Sequence, residues 1–207
     1  MKRALALLIL TAAMAACVGT KGPPLASRVY SLEYPPPAPA VAEDDRLKWS
    51  LRVDAFDAQP FIGTDRIVYR ESPFQVDTYR YHRWQAPPAR LVAWHLEDDL
   101  KSAGYLSAVI GSNSLFQATH VLEGTVHAFH EDDAANGWEA VVSVSLTLAQ
   151  SPNESGGRRI LMQRRYSARQ PCRYRTPLSL AEAMSRALAE ISAQALEDIY
   201  DHLAAVQ

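Results

Sequence analysis

The run from Asp65 to Pro88 constrains the fold more than any other part of the chain. Tyr69, Tyr79, Tyr81 and Trp84 crowd into sixteen residues. Side chains alternate along a strand, so Ile67 and Tyr69 share one face of Asp65–Arg70, and Arg66, Val68 and Arg70 share the other. Ser72-Pro73 interrupts the run, which predicts two short strands joined by a turn. Tyr79 and Tyr81 fall on one face of the second strand. Pro87-Pro88 then suits the first turn of a helix, where a missing N–H costs nothing. The segment is expected to be a hairpin that leads into the first helix.

The remaining elements follow from periodicity. Arg28 to Tyr34 alternates as a first strand, and Pro35 to Pro39 follows as a stiff, extended spacer. In Leu47–Val53 the alternation points Leu47, Trp49, Leu51 and Val53 inward. A helix is predicted over 87–103, with Leu91, Val92, Leu96, Leu100 and Ala103 on the buried side. Glu97, Asp98, Asp99 and Lys101 are expected in water, and Gly104 at the C-terminal cap. Tyr105–Ile110 is a further strand. Ala118–His130, Gly137–Ala149 and Arg158–Arg169 read as a meander. Its first strand presents Val121, Glu123, Thr125 and His127 on one face and Leu122, Gly124, Val126 and Ala128 on the other. Asp132, Asp133, Asn136 and Gly137 form the first turn, and Ser151–Gly157 the second. Ser179 to Glu182 has the form of a capping box, and Leu180, Met184, Ala187, Leu188, Ile191, Ala195, Ile199 and Leu203 recur at helical spacing behind it. The sum is an α+β fold: a mixed, mainly antiparallel sheet with two principal helices packed against one face, in one domain.

The N-terminus has its own logic. Met1-Lys2-Arg3 is a cationic start, Ala4–Ala13 is almost wholly apolar, and Met14-Ala15-Ala16 precedes Cys17. This is the form of a bacterial signal peptide, with an apolar run shorter than the roughly 20 residues of a membrane span. A cysteine at that position marks a lipid-attachment site, which divides the chain into a signal peptide over 1–16, a lipidated tether over 17–27 and a folded domain over 28–207. Val18 follows Cys17 where aspartate would retain a lipoprotein in the inner membrane, so the outer membrane, on its periplasmic face, is expected. Each buried acyl methylene contributes about 0.8 kcal/mol to such an anchor.

The sequence carries no recognisable catalytic signature. The formal net charge of -2 gives no basic surface for nucleic acid. The chain has neither a Gly-x-Ser-x-Gly elbow nor a phosphate loop. His120, His127 and His130 are dispersed by strand geometry and are expected at the surface, so neither a metal nor another cofactor is predicted. With Cys17 lipidated, Cys172 is left as an unpaired, partly buried small hydrophobe, although Arg169, Arg173 and Arg175 nearby could lower a thiol pKa.

The Arg66-Ile-Val-Tyr-Arg70 strand, the Tyr79-x-Tyr81-x-x-Trp84 strand and the Pro87-Pro88 helix start resemble the ABC-type transport auxiliary (PqiC-like) lipoprotein family. Tyr30-x-Leu32 resembles that family's opening strand. The resemblance implies a non-enzymatic outer-membrane lipoprotein that serves an MCE/ABC-type lipid transport system, and whose partners are an MCE-domain protein and inner-membrane transporter components. In that picture the lipoprotein docks the periplasm-spanning MCE protein at the outer membrane. Aromatic and arginine residues dominate such contacts, which makes Tyr79, Tyr81 and Arg83 the candidate partner-binding residues. A structural assembly factor for an outer-membrane protein or envelope polymer is the alternative, and self-association of the domain is left open.

Overall fold

The computed structural model describes residues 26–36, 46–134, 137–152 and 157–206. The signal peptide, Cys17, most of the tether, Pro37–Pro39 of the spacer and Asn136 lie outside the described residues. The described residues form one nine-stranded sheet with two helices.

Strand β7 (His120–Ala134) is its axis. One edge pairs antiparallel along its length with β8 (Gly137–Gln150), which pairs antiparallel with β9 (Arg159–Pro171). The other edge is shared by three parallel strands in succession. Strand β2 (Leu47–Val53) pairs near His120–Leu122, β3 (Asp57–Ala58) at Thr125–Val126, and β4 (Arg66–Ser72) at Glu131–Asp132. Each end then grows outward. β6 (Leu106–Gly111) adds to β2, β5 (Gln75–Trp84) folds back on β4 as the expected hairpin, and β1 (Arg28–Tyr30) pairs parallel with β5.

Helix α1 (Pro88–Ala103) packs on β6 and β7, and α2 (Pro177–Ala204) packs on β8 and β9. Their apolar stripes are those expected. Leu91, Val92, Leu96, Leu100 and Ala103 from α1 are buried, as are Leu180, Met184, Leu188, Ile191, Ile199 and Leu203 from α2. They meet Leu122, Phe129, Val142 and Leu146 of the sheet in one cluster. Burying each such large side chain contributes about 1.5–3 kcal/mol, which is what holds the two helices to the curled sheet. Gly104 ends α1 at φ 69°, where an L side chain would be strained.

Five local expectations are corrected. First, only Arg28–Tyr30 joins the sheet; Ser31–Pro36 leaves it and crosses both helices as a strap. The Glu33 N–H donates to Ser185 Oγ of α2 at 3.0 Å, and the Tyr34 hydroxyl donates to Asp99 of α1 at 2.8 Å, with its ring stacked on His95. Second, Asp99 is therefore buried instead of facing water, and Ser192 of α2 donates to the same carboxylate oxygen. Third, Asp132 and Asp133 belong to β7 and pair with Glu139 and Trp138. Fourth, a bulge between Val126 and Ala128 resets the alternation, so Phe129 and Glu131 take the buried positions beyond it. Fifth, α2 starts one turn early. Thr176 is its N-cap, accepting from the Ser179 N–H at 3.2 Å, while Ser179 Oγ accepts from the Tyr174 N–H.

Candidate partner-binding surfaces

The three hairpin residues singled out above have different surroundings. Tyr79 is half-buried. Its hydroxyl donates to Glu131, with the two carboxylate oxygens at 3.1 and 2.9 Å, and its ring packs against Tyr69, His82 and Trp138. Glu131 is 1% exposed, and burial pushes its carboxyl up to about 7. Burial and the adjacent Glu131 raise the Tyr79 hydroxyl above its ordinary range. The Tyr79 ring thus belongs to the wall of the core. Tyr81 is half-buried, and the Arg80 guanidinium lies 5.5 Å from its ring centre. Arg83 makes an ion pair with Asp65 at 3.0 Å across the base of the hairpin. Trp84 is fully buried, edge-on to Phe129.

The residues considered for catalysis are held apart. His120 is buried beneath Trp49 with Nδ1 2.9 Å from Thr119 Oγ1, and His127 Nε2 lies 2.8 Å from Ser145 Oγ. His130 is buried on the face opposite Phe129, and desolvation, helped by Arg70 and Arg169, holds its imidazole down at about 4. The surface placement expected for these histidines is thus overturned for His120 and His130. Trp49 lies edge-on against the first, and the second lies inside the sheet near the charges of Arg70 and Arg169. Among the described residues no three His, Cys, Asp or Glu side chains are placed to hold a metal ion. The Cys172 thiol is half-buried against the core, and burial, reinforced by Glu131, pushes it up to about 11. At neutral pH it is a thiol rather than a nucleophilic thiolate.

A second surface was not singled out from the sequence. A groove of about 910 Å³ lies between Asp54–Phe56 after β2, the first turns of α1, and Ser112–Ser114 after β6. Trp94 stands half-exposed on its rim with the Arg90 guanidinium 5.4 Å from its ring. Leu115 and Phe116, next along the same loop, are almost wholly exposed. The signal was present in α1: Trp94 falls outside the Val92–Leu96–Leu100 stripe, and a tryptophan on the solvent side of a helix has no core to fill. Val53 pairs with Leu122, which sets the groove near the start of β7. Among the described residues no helix is long and apolar enough to cross a membrane.

Comparison with known proteins bears on this architecture. A family model for the ABC-type transport auxiliary lipoprotein component matches residues 30–195. The fold is similar to that of protein XCC0632 from Xanthomonas campestris, a DUF330 protein, at 18% identity and a TM-score of 0.72, over 84% of this chain and 96% of that one. It is also similar to an uncharacterized protein at 18% identity and a TM-score of 0.64, over 84% of this chain and 99% of that one. The hypothetical protein CT253 from Chlamydia trachomatis is similar at 10% identity and a TM-score of 0.51, over 76% and 99% of the two chains. No curated protein matches in sequence.

Proposed function

This chain belongs to the family of ABC-type transport auxiliary lipoproteins, and on that premise we propose that it is a non-enzymatic outer-membrane lipoprotein that docks a periplasm-spanning MCE-domain protein of a lipid transporter. Cys17 carries the lipid, and the inner-membrane permease is reached only through the MCE partner.

The observation that carries the docking role is the groove beside α1. An exposed Trp94 stacked by Arg90, with Leu115 and Phe116 close by in sequence to the groove wall, has the composition of an interface centre rather than of an idle surface. Tyr81 and Arg83 on β5 form a second contact, with Tyr79 behind them as a support for the strand. A cationic and an aromatic side chain at the rim offer shape and stacking, and Asp54, Asp57 and Glu97 add carboxylates along the groove.

The test is a pull-down and a titration of the soluble periplasmic part of the MCE partner against the intact lipoprotein. Trp94→Ser and Tyr81→Ser should each weaken binding by about 2 kcal/mol where the ring is a hot spot, and leave the melting temperature within a few degrees because neither ring is fully buried. Undiminished affinity in both variants would remove these surfaces from the reading. The anchor is tested by Cys17→Ala, which should either release the mature chain to the soluble periplasm or leave the signal peptide uncleaved; a mature variant retained in the outer-membrane fraction as well as the parent would overturn it.

A further inference from the structure

The strand directions give the molecule two unlike ends. Arg70, Asp132, Glu139 and Pro171 stand in one row across β4, β7, β8 and β9. Beyond that row β4 runs out into the Ser72–Gln75 turn, and β9 runs out into Cys172–Thr176 before α2 begins. β1 is parallel to β5, with Arg28 beside His82 and Tyr30 beside Trp84. Since β5 starts at the hairpin turn and runs away from it, β1 is also travelling away from that turn. The chain preceding Arg28 therefore comes from the side of the hairpin turn.

That end carries apolar side chains open to solvent. Phe74 at the turn is 99% exposed and Val76 beside it 43%; Tyr174 and Leu178 at the start of α2 are 60% and 62% exposed, Leu178 beside Val29 and Tyr30. Arg173 lies over the Tyr174 ring at 5.3 Å. The charges facing the turn are mixed: Glu71 and Asp77 flank it, Arg173 lies on the α2 side, and Arg175 is drawn to Asp133.

Chain length then decides what this end can touch. His82 is next to Arg83, which faces Arg66, and a register shift puts Thr78 opposite Val68, so the span from His82 to the turn is about six residues of β4, about 20 Å of strand. From Arg28 back to Cys17 is eleven residues, about 36–40 Å when fully extended. A lipid on Cys17 can thus lie at most about 16–20 Å past Phe74 along that direction. We propose that the end formed by the β4–β5 turn and the start of α2 rests on the membrane that holds the anchor, with Phe74, Tyr174 and Leu178 seated in the glycerophospholipid interface. Aromatic and aliphatic side chains on a mixed-charge rim are suited to that depth, where an apolar body is buried while polar neighbours stay wet. The inference rests on the lipid-anchored reading of Cys17. It orients the molecule, because the groove beside α1 and the Leu115–Phe116 loop, near the start of β7, then face away from the lipid.

The test uses the whole lipid-modified protein in vesicles of phosphatidylethanolamine and phosphatidylglycerol. An environment-sensitive fluorophore is attached through Phe74→Cys, or through Leu115→Cys at the opposite end, in a Cys172→Ser background. Flotation with the vesicles reports the anchor, and emission reports the face. Flotation with blue-shifted emission from position 74 and unchanged emission from position 115 is the expected result. Flotation with a shift at position 115, or at neither position, overturns the orientation while leaving the anchor intact. Failure to float overturns the anchor, and the orientation with it. Phe74→Asp should abolish the interfacial contact without loss of folding, which circular dichroism checks, because the side chain touches no core residue.

Discussion

At the scale of single residues, two contacts decide positions that look unremarkable in the sequence. The ring of Phe56 lies directly on the backbone of Gly124, so that a Cβ built there would meet the ring at 2.5 Å. Phe56 is itself buried and cannot swing away freely. Gly124→Ala is therefore expected to destabilise the fold by about 1–3 kcal/mol, the range for overpacking a filled core, as read by denaturant unfolding. A loss below about 0.5 kcal/mol would mean that the ring yields. The other contact is Asp99, whose carboxylate accepts from Tyr34 and Ser192 and is held above its ordinary pKa by burial. Asp99→Ala leaves two hydroxyls without that acceptor and should cost about 2–3 kcal/mol, with Asp99→Asn milder because it keeps one oxygen acceptor. Neither position was legible from periodicity. Gly124 falls on the expected face, but its closeness to Phe56 depends on a connection outside regular structure. Asp99 reads as a solvent residue until the Ser31–Pro36 strap crosses it, and a strap leaves no period in the sequence.

At the scale of elements, legibility follows the strength of the local pattern. β2, the β4–β5 hairpin, α1 and the buried stripe of α2 are found within a residue or two, because alternation, a proline break and a helical stripe each impose their own period. The ends of elements are less legible because two local signals compete there. Before α2, Ser179 with Glu182 matches a capping box, yet Thr176 with Pro177 at the first helical position wins and adds a turn of helix. Ser179 is then free to bind the incoming Tyr174 N–H. The distinction is measurable. Thr176→Ala should cost about 1 kcal/mol, the usual value of an N-cap, whereas Glu182→Ala should change stability by less than about 0.5 kcal/mol. The reverse ranking in thermal melts would restore the capping box. The turn after β7 was misplaced for a related reason: Asp132 and Asp133 are turn formers by type, but Arg169 and Arg175 supply ion pairs that let both remain in the strand. The groove beside α1 lies between three elements distant in sequence, which is why only the displaced Trp94 hinted at it.

At the scale of the whole molecule, the neighbours His130 and Glu131 tie stability to pH in opposite senses. Glu131 has a folded pKa of about 7, above its unfolded value, so the native state holds a proton that the unfolded chain has released. Its contribution is fully present below the unfolded carboxylate pKa of about 4.3 and is lost as pH rises through about 7. His130 is the converse. Its folded value of about 4 lies below that of an unfolded histidine, so its contribution is present at high pH and is lost as pH falls from about 6.5 towards 4. Because the two windows overlap, the opposite slopes nearly cancel between about pH 4.3 and 6.5, and only Glu131 leaves a net fall, as pH rises from about 6.5 through 7. Glu131→Gln should remove the alkaline side of this profile. It keeps an oxygen acceptor for the Tyr79 hydroxyl and eliminates the buried charge, so the variant should match the parent near pH 5 and exceed it by about 1–2 kcal/mol at pH 8. Thermal melts from pH 5 to pH 8 decide the matter. Equal slopes for the two proteins would show that Glu131 does not titrate in this window. A variant less stable at every pH would instead show that the ionised carboxylate, hydrogen-bonded by Tyr79, whose ring packs against Tyr69, His82 and Trp138, is a net support of the sheet where β4, β5 and β7 meet.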